Sequence, residues 1–137
     1  MKLIILSDMF YDKYANCQEI LKKRNRPYVC LAIKINGTTY AIPMRHHISH
    51  KYCFRTGDES GLDYTKAVVI TDITDVQKFN AKIDQGEFSR IKGKEQAIVK
   101  GMEDFIKIYK KAIAYPCNSN YAFIRSCSTL QYFEKYL

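Results

Sequence analysis

All three histidines of this 137-residue chain fall close together, at His46, His47 and His50, and permanent cations frame them: Arg45 before, Lys51 after and Arg55 a little beyond. An imidazole titrates near neutrality, so it can take a proton from one group and give one to another, while guanidinium and ammonium groups hold phosphate oxygens. Cleaving a ribonucleotide backbone without a metal calls for these parts. One group must deprotonate the 2′-hydroxyl, another must protonate the leaving 5′-oxygen, and cations must face the charged phosphorane between them. His46 and His50 are candidates for base and acid, with Arg26, Arg45 and Lys51 as phosphate clamps. The cluster therefore suits RNA cleavage.

Two other readings use the same residues. His46 and His50 stand four apart with His47 and Cys53 nearby, a set that could ligate zinc, but no carboxylate or second Cys-His cluster completes a recognised spacing. The histidines could also be polar loop residues, one of them satisfied internally. Walker-type glycine loops, GxSxG and HExxH signatures are absent from the sequence.

The wider composition agrees with a partner that is a polyanion. Lys and Arg number 22 against 14 acidic residues, for a net charge of +8, so the long-range field attracts nucleic acid. A hydrophobic share of 47% excludes a wholly disordered chain, and this length makes one domain, 1–137, that can bury a core without staples. The five cysteines are an odd number with no CxxC pair, the usage of a reducing compartment. The opening apolar run stops after four residues at Ser7-Asp8, too soon for a signal peptide, and no later run approaches a membrane span. A cytoplasmic protein without a membrane partner is expected.

The elements that must position the basic loop can be read in order. Residues 3–6 read as a short buried strand, and Ser7 or Asp8 then caps a helix carrying Phe10, Tyr14, Cys17, Ile20 and Leu21 at helical spacing. Lys22, Lys23, Arg24 and Arg26 pack four cations before Pro27, a basic helix end suited to phosphate contacts. Residues 28–35 form a nearly all-apolar strand, expected to be covered on both faces. Asn36-Gly37 predicts a type I′ hairpin, and residues 38–44 return antiparallel until Pro43 ends the pairing.

In a two-residue hairpin, positions equidistant from the turn face one another. Ile35 then faces Thr38, Tyr28 faces Arg45, and Arg26 comes beside His46 and His47. Residues 51–63 read as loop, 67–70 as a buried strand and 71–75 as a turn. The stretch 76–90 is ambiguous, with a turn expected at 84–87. Residues 94–114 carry the one long amphipathic helix, its stripe running Ile98, Met102, Phe105, Ile106, Tyr109 and Ile113. Ser128-Thr129-Leu130-Gln131 is a capping-box pattern that opens a last short helix. Eleven tyrosines and seven phenylalanines offer stacking surface for unpaired bases, although most must be core.

Several of these segments together resemble a known family. Arg26-Pro27-Tyr28 enters an apolar strand, Ile35-Asn36-Gly37 forms the hairpin, and Ala41-Ile42-Pro43-Met44-Arg45 leads to a basic loop ending His50-Lys51. Gly61-Leu62-Asp63, Lys66-Ala67-Val68-Val69-Ile70 and the closing stretch from Cys127 to Tyr136 complete the pattern. They resemble the toxins of type III toxin–antitoxin systems, in particular the TenpN subgroup, relatives of ToxN and AbiQ. The likeness covers most of the chain and is clearest over 26–70.

That resemblance implies an α+β fold, a strongly twisted antiparallel sheet with flanking helices and a MazF/Kid-like core. It implies a cofactor-free, metal-independent endoribonuclease that cuts mRNA at A-rich sites, leaves a 2′,3′-cyclic phosphate, and arrests growth or aborts phage infection. The implied partner is an antitoxin RNA, a repeated pseudoknot, held in a closed protein–RNA hetero-oligomer. By position, Arg26 falls where ToxN-type proteins place an active-site Lys, and Arg45-His46 where they place Thr-Ser. The phosphate role carries over; the identity of the general base does not, because a hydroxyl and an imidazole are not equivalent. Asp63 and Lys66 match more closely, and are expected to position the loop by an ion pair or to touch RNA, together with Lys22, Lys23, Arg24, Tyr28, His47 and Arg55. The alternative is a non-catalytic RNA-binding protein using the same basic groove.

Overall fold

The short apolar run near the N-terminus and the paired runs around Asn36-Gly37 build an antiparallel sheet, in a computed structural model that describes residues 1–21, 28–77 and 85–137. Lys22, Lys23, Arg24 and Arg26 lie outside the described residues, as does 78–84, so the expected approach of Arg26 to His46 and His47 falls outside them too. Six strands are described, β1 (Lys2–Ile5), β2 (Val29–Ile35), β3 (Thr38–Arg45), β4 (Cys53–Arg55), β5 (Gly61–Asp63) and β6 (Val68–Ile70). The order is β1-β2-β3-β5-β4, with β6 also on β3, and every pairing is antiparallel. Among the described residues four α-helices accompany them, α1 (Asp8–Lys13), α2 (Gln85–Ile91), α3 (Glu95–Ala114) and α4 (Ala122–Cys127), making an α+β fold.

The hairpin register is the expected one. Asn36 and Gly37 both take positive φ, 50° and 80°, and Ile35 pairs with Thr38, with the ladder running unbroken to Cys30 opposite Pro43. Pairing with β2 stops there, but β3 continues, because Met44 and Arg45 change partner to Leu62 and Gly61 of β5. β2 is covered on both faces only at Cys30 and Leu31; farther on, Lys34 is exposed.

Several expected elements differ. The first helix ends at Lys13, not at Leu21: Ser7 accepts from the Phe10 N–H as its cap, and beyond Tyr14 the chain tightens into i→i+3 turns. Tyr14 packs against the Phe133 ring 5.2 Å away and Ile20 sinks into the core, so tertiary contacts override the helical spacing. The stretch 51–63, read as loop, contains the β4–β5 hairpin. Its three-residue strands are too short to show an alternation, and Gly61, which reads as a turn residue, sits in β5 because a Cβ there would lie 2.2 Å from the Phe54 carbonyl oxygen. Gln85 to Glu87, expected as a turn, open α2.

α3 lies against β2, with Ile98, Met102, Phe105, Ile106 and Tyr109 buried as the periodicity predicts. Ile113 is exposed and Ala112 takes its place, since α4 packs on that side of the last turn. At the C-terminus Ser128 accepts from the Leu130 N–H, but the turn it caps is 3₁₀, and Gln131 bonds the Ser128 carbonyl rather than closing a capping box. Leu130 and Phe133 enter the core. No described helix is long and apolar enough to cross a membrane.

Candidate functional site

β3 ends at Arg45 and β5 ends at Asp63, and their side chains meet. The Arg45 Nη1 donates to Asp63 Oδ2 at 2.6 Å, with the carboxylate fully buried and the Arg45 side chain 27% exposed. Asp63 also stops β5: its Oδ1 accepts from the Thr65 N–H at 3.0 Å and from the Thr65 hydroxyl at 2.6 Å, capping the 3₁₀ turn Tyr64–Lys66. A buried carboxylate persists only if its lone pairs are filled. His50 fills the rest, with Nε2 3.2 Å from Oδ1.

The other ring nitrogen of His50 is engaged as well. Nδ1 accepts the Tyr52 N–H at 3.0 Å, which puts the proton of the neutral ring on Nε2, facing Asp63. Nε2 also lies 3.4 Å from the Thr65 hydroxyl, so both nitrogens of His50 face protein groups. Of the readings open at the outset, internal satisfaction describes His50, whereas His46 and His47 are exposed.

The loop between β3 and β4 is fastened from below. Ile48 turns inward and is buried, its N–H donating to the Glu59 carbonyl at 2.7 Å. His47 takes φ +60°, the reversal that lets Ile48 point down, and its Nδ1 lies 3.4 Å from Glu59 Oε2. Arg55, expected to extend the RNA surface, instead donates to the carbonyls of Ile48 at 2.9 Å and His50 at 2.8 Å, with a longer contact to Asp58 at 3.4 Å. It is a strap across the loop. His46, His47, Ser49 and Lys51 are left on the outer side.

Other expected contacts go elsewhere. Lys66 spends its ammonium on the carbonyls of Glu19 (3.1 Å) and Cys127 (2.9 Å), joining the N-terminal turns to α4. Tyr28 is half-buried and shares with Lys66 the lining of a small cavity behind Cys30 and Pro43. The zinc set is not assembled: His50 faces Asp63, the Cys53 thiol donates to the His50 carbonyl at 3.7 Å, and among the described residues no group of three His, Cys, Asp or Glu is placed to hold a metal. None of the five cysteines forms a disulfide.

Three participants escaped the sequence reading. Thr65 follows Asp63 by two, the spacing of an Asx turn, and could have been found on that signal. Tyr52 follows His50 by two, its ring centroid 6.0 Å from the imidazole, and was within reach of a local reading; Phe123 could not be found, because it reaches His50 only through tertiary packing, at 5.6 Å.

The site thus holds a guanidinium anchored at one nitrogen. Among the described residues the other guanidinium nitrogens of Arg45 make no hydrogen bond, and the same is true of the His46 ring. An oxyanion placed over Arg45 would find donors free and an imidazole one residue away in the chain. No family model matches the chain, and comparisons with curated proteins and with solved structures likewise give no match.

Proposed function

We propose that this chain is a metal-independent endoribonuclease, the toxin of a type III toxin–antitoxin system, acting in the cytoplasm in growth arrest and phage defence. The observation that supports it best is the half-used Arg45 fork, fixed by buried Asp63 and set beside the exposed His46. In this reading the phosphate lies against Arg45 and Lys51, with Arg26 contributing from the neighbouring strand entry. His46 takes the 2′-hydroxyl proton, the 2′-oxygen attacks phosphorus, and the 5′-oxygen leaves with a proton from a second group, for which His50 is the candidate and exposed His47 a neighbour. The product is a 2′,3′-cyclic phosphate and a 5′-hydroxyl end. The same reading takes the sheet as a strongly twisted MazF/Kid-like core, the target as A-rich mRNA, and the inhibitor as a repeated RNA pseudoknot bound in a closed protein–RNA hetero-oligomer.

A specific observation favours the runner-up, a non-catalytic RNA-binding protein: the half-buried His50 imidazole has a protein group at each nitrogen. Incubation with A-rich RNA in excess chelator separates the two. Cyclic-phosphate ends are the expected result. Intact RNA that shifts in a gel would replace the enzyme with the binding module, and cleavage that stops on chelation would remove metal independence.

A further inference from the structure

An exposed phenylalanine stands beside the basic loop without a partner on its outer face. Phe123 of α4 is 47% exposed, yet its inner side touches the site: its ring centroid lies 5.6 Å from that of His50 and 6.3 Å from that of Tyr52, with the latter pair only 20° from parallel. Its position is not accidental. Ile124, the next residue, is buried in the core, and Arg125 donates to the carbonyls of Ala112, Tyr115 and Asn118, so α4 is locked against the end of α3 with Phe123 turned outward. Tyr52 is backed in turn by Phe105 at 5.7 Å, and Lys51 holds its ammonium 5.6 Å from the Tyr52 ring centroid. A rigid aromatic surface therefore borders the cations and the imidazoles.

Leaving a large ring in water forgoes the stabilisation its burial would bring, and a rigidly mounted ring beside positive charge is what sequence-tolerant single-strand binders use, one base stacking on each aromatic face while cations track the phosphates. Charge complementarity selects the occupant. The flanking groups are Lys51, Arg45 and the exposed histidines on a chain of net charge +8, which favour a polyanionic strand over an apolar protein surface. We infer that Phe123, with Tyr52 behind it, is the stacking platform for an unpaired base of RNA next to the phosphate held at Arg45 and Lys51. This rests on the reading of the loop as a phosphate site, but not on cleavage taking place there.

The chain contains no tryptophan, so Phe123→Trp places a single indole reporter at the platform while keeping an aromatic face. The full-length variant is titrated with a short single-stranded oligonucleotide of 2′-O-methyl RNA, which the 2′-hydroxyl reaction cannot cut, and with an abasic strand of equal length. Saturable quenching of the indole by the base-bearing strand, and little by the abasic one, is expected. In parallel, Phe123→Ala should weaken binding of the base-bearing strand by about tenfold, from the usual worth of one stacked base, and leave the abasic strand unchanged. Tight binding of both strands by anisotropy with no base-dependent quenching would overturn the platform and leave the phosphate site standing. Failure of the wild-type protein to bind either strand would overturn both.

Discussion

Asp63 is the residue on which the loop's geometry turns, because it is fully buried and filled by Arg45, His50 and Thr65 together. From the sequence, Arg45→Ala and His50→Ala both look like surface changes worth no more than about 1 kcal/mol. The buried carboxylate alters that expectation for Arg45. Removing the guanidinium strands a charge away from water, and Arg45→Ala should cost about 3 kcal/mol in urea unfolding as well as activity. His46→Ala makes the contrasting case. Its side chain is exposed, so stability should move by less than about 0.5 kcal/mol while single-turnover cleavage falls by about a hundredfold or more. Unchanged cleavage in His46→Ala would take the proton-transfer role away from it.

Within the elements, α3 explains a glycine that helix propensity cannot. Gly101 costs about 1 kcal/mol relative to Ala in an exposed helix, so Gly101→Ala should stabilise if propensity ruled. The Tyr64 ring occupies the space instead: a Cβ at 101 would lie 2.3 Å from Oη and 2.8 Å from Cζ. Tyr64 cannot swing away without losing the bond its hydroxyl donates to the Ile98 carbonyl at 2.9 Å. Overpacking of this kind costs about 1–3 kcal/mol, so Gly101→Ala should lower the urea midpoint. A raised midpoint would show that Tyr64 has another place to go. Because Tyr64 opens the turn capped by Asp63, the same variant should also loosen the loop, read as faster hydrogen exchange at the Ile48 amide.

For the molecule as a whole, titration sets an alkaline limit. Burial pushes the Cys30 thiol from 9.0 up to about 12 and raises the Tyr64 and Tyr109 phenols above their ordinary 10.0; Tyr109 also donates to Glu134 at 2.7 Å. Lys13 is raised as well, by its bond to the buried Asp75 carboxylate 2.5 Å away. Each group holds its proton more tightly folded than unfolded. Its contribution is therefore complete below the unfolded pKa and lost as pH climbs towards the folded one. The urea midpoint should stay level up to about pH 9, where thiols of an unfolded chain begin to ionise, and then fall. Tyr109→Phe should make that fall shallower. A midpoint that rose on the alkaline side would contradict the sign.

What the sequence determined by itself was whatever a short window contains. The strand runs, the Asn36-Gly37 turn with its register and the stripe of α3 follow from backbone sterics and from periods of two and 3.6, which act between near neighbours. The gathering of His46, Arg45 and Lys51 was legible for the same reason, being contiguous. Tertiary structure alone decided which of those groups remain available. Whether His50 faces solvent or Asp63 and whether Phe123 stands over the loop depend on β5 and α4 being brought to it by the fold, and whether Arg55 holds a phosphate or three carbonyls depends on how the loop folds back over it. A donor's role is set by the acceptor it meets, and burial makes that choice costly to reverse.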